Sequence, residues 1–476
     1  MSTLHNNPIE DCIAELRGWL GERLSTASAV REHHGRDTTF HPVMAPDAVA
    51  FPTTVQEVQR IVATCAARRV PLIAFGTGTS CEGHIAALRG GICLDTSGLN
   101  RIRAVHEADM DATVEAGVTR KALNAHLHGT GLQFPVDPGA DASIGGMVST
   151  RASGTNAMRY GTMRENVMAL EVVLPDGELI HTGTRARKSS AGYDLTRLFV
   201  GSEGTLGIVT AATVRLHPLP EHVAAATCAF GTLRAAVDTV IETLQAGVQL
   251  GRVELLDALQ IDAVNRYSRL SLPVAPTLFF EFHGSEPEVA HQVTVVGEIA
   301  ASHGGQDFAW ARQPEERSRL WQARHDIWWA NKGLRPGAEG LPSDVCVPVS
   351  ELADQIEAAQ QDVAAQGLIA PICGHVGDGN FHLCFMVDPN DAAEMARVKA
   401  VYARMIRRAI AVGGTCTGEH GIGHGKVDFL KEEAGSSFRV MQALRTALDP
   451  IGIMNPGKVT GFPSISPTTT DGEIPC

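Results

Sequence analysis

Chemistry is concentrated in two short stretches of the C-terminal half. Cys373-Gly374-His375-Val376-Gly377-Asp378-Gly379-Asn380-Phe381-His382 brackets a tight Gly-Asp-Gly-Asn turn with two histidines. Gly418-Glu419-His420-Gly421-Ile422-Gly423-His424-Gly425-Lys426 sets a Glu-His pair in a second glycine-rich turn. A single histidine in a sequence is usually a structural residue, but several imidazoles and a carboxylate carried on tight turns are a ligand set. Nitrogen and carboxylate donors of this kind suit zinc or manganese, and three protein ligands leave coordination positions open to a substrate oxygen.

A second set of residues points to a large anionic ligand. The chain has 48 glycines in 476 residues, about 10 per cent against the usual 7 per cent or so, and many fall in three clusters. The first is Gly76-Thr77-Gly78-Thr79-Ser80, running on to Gly83-His84, where glycines alternate with hydroxyls and successive backbone N–H groups can turn inward on a pyrophosphate. The second runs from Val136-Asp137-Pro138-Gly139 through Ser143-Ile144-Gly145-Gly146-Met147-Val148-Ser149 to Ser153-Gly154-Thr155-Asn156 and Tyr160-Gly161. So many small residues admit a wide, flat molecule. The third is Gly201-Ser202-Glu203-Gly204-Thr205-Leu206-Gly207-Ile208-Val209. None is a dinucleotide fingerprint or a Walker A loop, because the glycine spacing and the following acid or Gly-Lys-Ser/Thr are missing.

The elements that must carry these residues are legible in outline. An N-terminal helix is expected over about Ile9 to Ser25. Thr54 with Glu57 reads as a capping box ahead of a helix through Val58, Ile61, Val62 and Cys65, and a buried strand over Val70 to Phe75 stops at the first glycine cluster. Strands are expected at Gly91 to Asp95, Ala112 to Glu115, Ala169 to Leu174 and Gly207 to Leu216, with only one or two helices among them. Beyond Pro218-Leu219-Pro220 the texture becomes α+β: a helix through Leu233, Ala236, Val237 and Val240, a strand at Thr277 to Phe282, and helices over Glu351 to Gln366, with Ser350 as cap, and Ala392 to Val412. The Ser/Pro/Thr tail after Gly461 is expected to fray.

Composition narrows the function classes. With 40 basic against 53 acidic side chains the net charge is −13; no dense basic stripe is present, and nucleic acid is set aside as a partner. At this length two lobes are expected rather than one. No run approaches the roughly 20 apolar residues of a membrane span. Glu10, Asp11, Glu15 and Glu22 stand where a targeting peptide needs basic residues, so the expected location is cytoplasmic, at most peripheral at the inner face of a membrane. The ten cysteines are dispersed with no C-x-x-C pair, against a disulfide framework or a Cys-ligated cluster.

The three glycine clusters in this order resemble the FAD-binding domain of the vanillyl-alcohol oxidase / p-cresol methylhydroxylase superfamily. The histidine and glutamate motifs resemble the C-terminal domain of the D-2-hydroxy-acid dehydrogenases built on that fold. The resemblance implies an α+β, two-lobed molecule: an N-terminal lead-in to residue 45, a FAD domain over 46–220, a substrate and metal cap over 221–430, and a C-terminal segment, 431–476, returning to the flavin through Asn455. It further implies FAD along Gly76 to Ser80, Gly83, Pro138 to Ser149, Ser153, Asn156, Tyr160 and Glu203 to Ile208, with Glu203 to Ile208 near the adenosine part. The flavin is expected to be noncovalent, with His84 the residue that raises the alternative. Arg151, where relatives have something small, is expected to face solvent. His375, His382 and Glu419 become the ligands of a divalent metal, zinc or manganese; His420 becomes the general base, and Arg324, in Trp321-Gln322-Ala323-Arg324-His325, clamps the substrate carboxylate. His375 also faces the substrate.

The implied reaction takes a D-2-hydroxy acid to the 2-oxo acid, with the C2 hydride passing to flavin N5. Leu341 to Pro348 lacks the cation of relatives that use dicarboxylic acids, and an unpaired buried carboxylate is costly. The expected substrate is therefore monocarboxylic, most simply D-lactate, with Trp328 and Trp329 near its side chain. Alternatives are the flavin subunit of a glycolate oxidase, a D-2-hydroxyglutarate dehydrogenase, and a flavoprotein used only for electron relay. Electrons must leave to an external acceptor, whether cytochrome c, a quinone, an electron-transferring flavoprotein or a partner subunit. A homodimer is the assembly considered.

Overall fold

A computed structural model describes residues 7–38, 40–311 and 313–462; the tail expected to fray lies almost wholly outside them. The first helix, Pro8–Leu20, is shorter than expected because Gly21 breaks it into one 3-10 turn, Gly21–Arg23. It buries Cys12, Leu16 and Leu20 against the helix Val55–Arg68. The Thr54 side chain accepts from the Glu57 N–H at 3.2 Å as the capping box requires. The return half differs: the Glu57 carboxylate accepts from the Thr53 N–H at 2.8 Å and from Arg23 at 2.6 and 2.5 Å. A guanidinium offering two charged bonds outcompetes the cap's own amide.

Three sheets position the site. The strands β1 (Leu24–Ser25), β2 (Ala48–Ala50), β3 (Leu72–Phe75) and β4 (Ile92–Asp95) form a sheet in the order β1-β2-β4-β3, parallel from β2 to β3. The strands β5 (Ile102–His106), β6 (Asp111–Glu115), β8 (Val167–Val173), β9 (Leu179–His181) and β10 (Ile208–Arg215) form an antiparallel sheet in the order β5-β6-β10-β8-β9, and β7 (Leu132–Gln133) pairs with β11 (His217–Pro218) beside it. Five short helices rather than one or two punctuate this region: Arg120–His126, Ile144–Thr150, Ala157–Tyr160, Met163–Asn166 and Leu195–Phe199. Each is two turns or less, too short for a hydrophobic period to show in sequence. The Ile144–Thr150 helix sits inside the second glycine cluster, capped by Ser143 and anchored by buried Ile144, Met147 and Val148.

The cap sheet contains β12 (His222–Ala229), β13 (Leu250–Leu256), β14 (Thr277–Gly284), β15 (Gln306–Ala311), β16 (Glu339–Pro342), β17 (Val345–Cys346), β18 (Ile372–His375) and β19 (Asn380–Val387). Its order is β15-β12-β14-β13-β18-β19-β16, with β17 also on β19. Helices Leu233–Gln245, Glu286–Ser302, Leu352–Ala365 and Ala392–Ala411 bury apolar faces on a core that includes Phe280, Phe282, Phe381 and Phe385. Ser350 does not cap the Leu352–Ala365 helix; it lies inside a 3-10 turn, Val349–Glu351, that leads into it. After the helix Phe438–Leu448 the chain returns to the first sheet, where Leu72 N–H donates to Ile453 O and Asn455 N–H to Leu72 O, both at 2.8 Å.

Candidate functional site

Adjacent strands bring the two histidines together. In the antiparallel pair β18/β19, His375 stands opposite Asn380 and Cys373 opposite His382. His375 and His382 are therefore diagonal neighbours on one face of the sheet, with ring centroids 5.4 Å apart. Glu419 enters from the second glycine-rich turn, and one ligand atom from each of the three lies within 4.8 Å of the others. Glu419 Oε1 is 3.3 Å from His375 Nε2 and 3.2 Å from His382 Nε2.

The surroundings orient both rings the same way. His382 Nδ1–H donates to Ser343 O at 2.9 Å, and His375 Nδ1–H donates to Glu254 Oε1 at 2.5 Å. Each Nε2 is thus directed at the common centre, as outer partners arrange metal-ligating imidazoles. The enclosed His382 Nε2 has no aligned hydrogen bond. Donor type, tautomer and an unsatisfied buried nitrogen all fit a divalent cation. Without one, Glu254 and Glu419 outweigh burial and hold the His375 pKa well above its ordinary value.

The turn carrying Glu419 and His420 is pinned by Asp344. Its fully buried carboxylate accepts from the N–H groups of Glu419 and His420, both at 3.0 Å, from Thr417 Oγ1 at 2.6 Å and from Asn380 Nδ2 at 2.7 Å. Burial opposes its ionisation, but the buried Lys426 ammonium beside it holds it well below the carboxylate range. Lys426 Nζ, also buried, donates to Asp344 O at 3.0 Å and pairs with Glu82 at 3.1 Å. His420 stacks on His382 at 5.3 Å, and its Nδ1 is enclosed without a partner. Burial, with the nearby charge of Lys426, lowers its pKa to about 4, so near neutral pH it is an unprotonated base.

His420 and Glu419 form part of the wall of a cavity of about 660 Å³. Opposite them lie Gly76, Thr77, Gly78, Thr79, Ser80 and His84 from the first glycine cluster. Pro138, Gly139, Gly145, Gly146, Ser149 and Ser153 come from the second, and Glu203, Gly204, Gly207 and Ile208 from the third, with Asn455 from the C-terminal return. Trp328, Trp329 and His325 close the cap side. A Cβ on Gly76 would lie 2.4 Å from Ser143 Oγ, so a larger residue there would push the Ser143 hydroxyl off its cap on the Ile144–Thr150 helix. Among the described residues the N–H groups of Thr77, Gly78 and Thr79 find no acceptor, leaving donors for an anionic ligand where the wall has no lysine or arginine.

Several expected contacts lie elsewhere. Gly83 packs on His424, Ser143 caps its helix through Gly146 N–H, Asn156 is bound to Asp137 and Pro135 O, and the Tyr160 hydroxyl meets His283 at 3.1 Å. None is on the cavity wall: they hold the loops that are. Arg324 does not line this cavity either; its Nε donates to Glu254 Oε2 at 2.7 Å while its side chain keeps 20% exposure. Arg151 is exposed and bonds Val200 O. The Glu203 side chain is engaged locally, accepting from the N–H groups of Ile422 and Gly423 at 2.7 and 2.8 Å with His84 Nε2 3.3 Å away. It thereby ties the third glycine cluster to the His420 turn.

Sequence reasoning missed Glu254, Asp344 and Lys426 as site residues. The signal for Glu254 was an acid inside the apolar strand Leu250–Leu256; for Asp344 and Lys426 no local pattern marks a partner found only across the fold.

A glycine-lined cavity against a histidine-bearing cap defines a flavin enzyme of two lobes. This chain belongs to the FAD-linked oxidases: residues 46–183 match the FAD binding domain and residues 219–459 the C-terminal domain of FAD linked oxidases, and the protein binds FAD. It is 52% identical over 456 residues to the probable mitochondrial D-lactate dehydrogenase of Danio rerio, covering 95% of this chain and 92% of that protein. It is 45% identical to the mitochondrial D-lactate dehydrogenase [cytochrome] of Arabidopsis thaliana, covering 94% and 80%. The solved structure of p-cresol methylhydroxylase with substrate bound shares the fold, with a TM-score of 0.77 over 96% of this chain and 98% of that one at 17% identity.

Proposed function

We propose that the protein is an FAD-dependent dehydrogenase that oxidises D-lactate to pyruvate and passes the electrons to an external acceptor. The observation that carries this reading is the cluster of His375, His382 and Glu419 beside His420, of which Glu419 and His420 line the flavin cavity; the relatives' names supply the substrate. We assign residues 46–220 to the flavin domain, 221–430 to the cap and the remainder to the lead-in and return segments.

His375, His382 and Glu419 would hold a zinc or manganese ion, which when bound acidifies the substrate C2 hydroxyl. FAD when bound supplies the hydride acceptor. His420, neutral and enclosed, takes the hydroxyl proton, and Arg324 draws the carboxylate toward the cap. Trp328 and Pro342 give the substrate's far side an apolar wall. Arg324 is the one cation assigned to the substrate, and with no lysine or arginine on the cavity wall among the described residues a second carboxylate would stay unpaired, which favours a monocarboxylic substrate. The adjacent backbone donors of Thr77 to Thr79 suit the FAD pyrophosphate without a cation.

The test is anaerobic titration of the flavin with D-lactate, L-lactate, glycolate and D-2-hydroxyglutarate, repeated after chelation. D-Lactate should bleach the flavin and chelation should suppress the change. Comparable reduction by D-2-hydroxyglutarate overturns the monocarboxylate assignment, and absence of bleaching favours electron relay. A cytochrome is the first class of acceptor to assay, because the Arabidopsis relative's name carries that word. No helix among the described residues is long and apolar enough to cross a membrane. We retain a cytoplasmic or membrane-peripheral location as the proposal, to be checked by fractionation.

A further inference from the structure

We infer that Glu254 is a positioning residue that fixes the metal ligand His375 and the carboxylate clamp Arg324 relative to one another. The inference rests on the roles proposed above for those two residues. Glu254 is on β13, whose pairing with β18 sets Leu255 opposite Gly374. One step along that register, Glu254 and His375 face each other. Arg324 arrives from above, near the end of the helix Pro314–His325, which is anchored by Trp321 and Ala323 packed with Phe279 and Leu256.

The side chain of Glu254 has no exposure to solvent. A carboxylate buried this completely persists only when its charge and lone pairs are satisfied. Each oxygen has its own charged or polarised partner: Oε1 accepts from His375 Nδ1–H at 2.5 Å and Oε2 from Arg324 Nε–H at 2.7 Å. With no exposure and both oxygens already engaged by His375 and Arg324, Glu254 touches neither flavin nor substrate. Its effect must pass through its two partners. It selects the His375 tautomer that presents Nε2 to the ion, raises the basicity of that nitrogen, and holds the guanidinium at a set distance from the same ion. A hydroxy acid bound by both its C2 oxygen and its carboxylate requires that distance to be constant.

Glutamine has the same shape but only one accepting oxygen, so its NH2 group must confront one of two donors. In Glu254→Gln, zinc affinity, measured on stripped holoenzyme by competition with a chromophoric chelator, should fall by about 10- to 100-fold. At saturating zinc the KM for D-lactate should rise more than kcat falls. Flavin content and spectrum report whether the variant folds. If it does not, Glu254→Gln/Arg324→Met removes the unpaired guanidinium; zinc affinity should stay weak although the fold is regained, which a purely structural role would not produce. Zinc affinity and KM unchanged in Glu254→Gln, or zinc affinity regained in the double variant, overturn the inference and leave the functional reading standing. Wild-type protein that binds neither zinc nor manganese at this site overturns both.

Discussion

His420 combines an enclosed ring, an unpartnered Nδ1 and a pKa lowered to about 4. Removing it as His420→Ala should leave the flavin spectrum unchanged and slow anaerobic reduction by D-lactate by about 10²- to 10⁴-fold, the usual worth of a positioned base. Stopped-flow absorbance at the flavin band measures this, and full-rate reduction excludes His420 as the base. The histidines and Glu419 were legible in sequence because metal and acid-base chemistry draws on few residue types carried on glycine-rich turns. Asp344 and Glu254 were not, because a carboxylate that serves by accepting hydrogen bonds from residues 76 and 121 positions away looks like any other acid until the strands pair.

At the scale of the element, the turn from Gly418 to Gly425 is held from both lobes. Asp344 accepts its N–H groups from the cap side, and Glu203 does so from the flavin side. Asp344→Asn leaves His420, Lys426 and Glu419 around an amide that cannot balance them, and breaking a buried charge network of this kind costs about 3–5 kcal/mol. Chemical denaturation should show the loss together with reduced flavin reduction. Gly423 is the tighter constraint: φ is +51°, and a Cβ there would lie 1.9 Å from Glu82 O. Gly423→Ala should therefore displace the turn and lower the D-lactate reduction rate even where the flavin stays bound, a result read from flavin content and rate on the same sample. The long helices were legible because their apolar faces repeat over three or more turns. The five short helices of the flavin lobe were not, since two turns or less leave too few residues for a period and Ser143 caps a run that reads as loop.

At the scale of the whole molecule, Lys458 joins the C-terminal return to the first lobe by donating to Ala86 O. Burial lowers its pKa from 10.5 to about 7, with Arg445 adding to the effect against Glu203. Between those values the unfolded chain binds a proton that the folded chain does not, so this group makes stability rise as pH climbs through that window. Urea denaturation at pH 7 and pH 9 should show the increase in the wild type and a smaller one in Lys458→Met. Equal slopes in the two proteins would mean that Lys458 stays charged when buried.

The sequence by itself determined the cofactor class, the two-lobed plan and which histidines and carboxylate could cluster, because glycine clusters, hydrophobic periods and turn-borne histidines are local patterns. The tertiary structure alone decided which of those residues meet. It placed His375 and His382 on one sheet face, put Ser143, Asn156, Tyr160 and Gly83 in the scaffold behind the cavity wall, and tied Glu203 to the His420 turn. It also set Glu254 and Asp344 behind the site. The reason is physical: a hydrogen bond between residues far apart in the chain depends on strand register and loop path, and both are set by burial of the whole core rather than by any residue's neighbours.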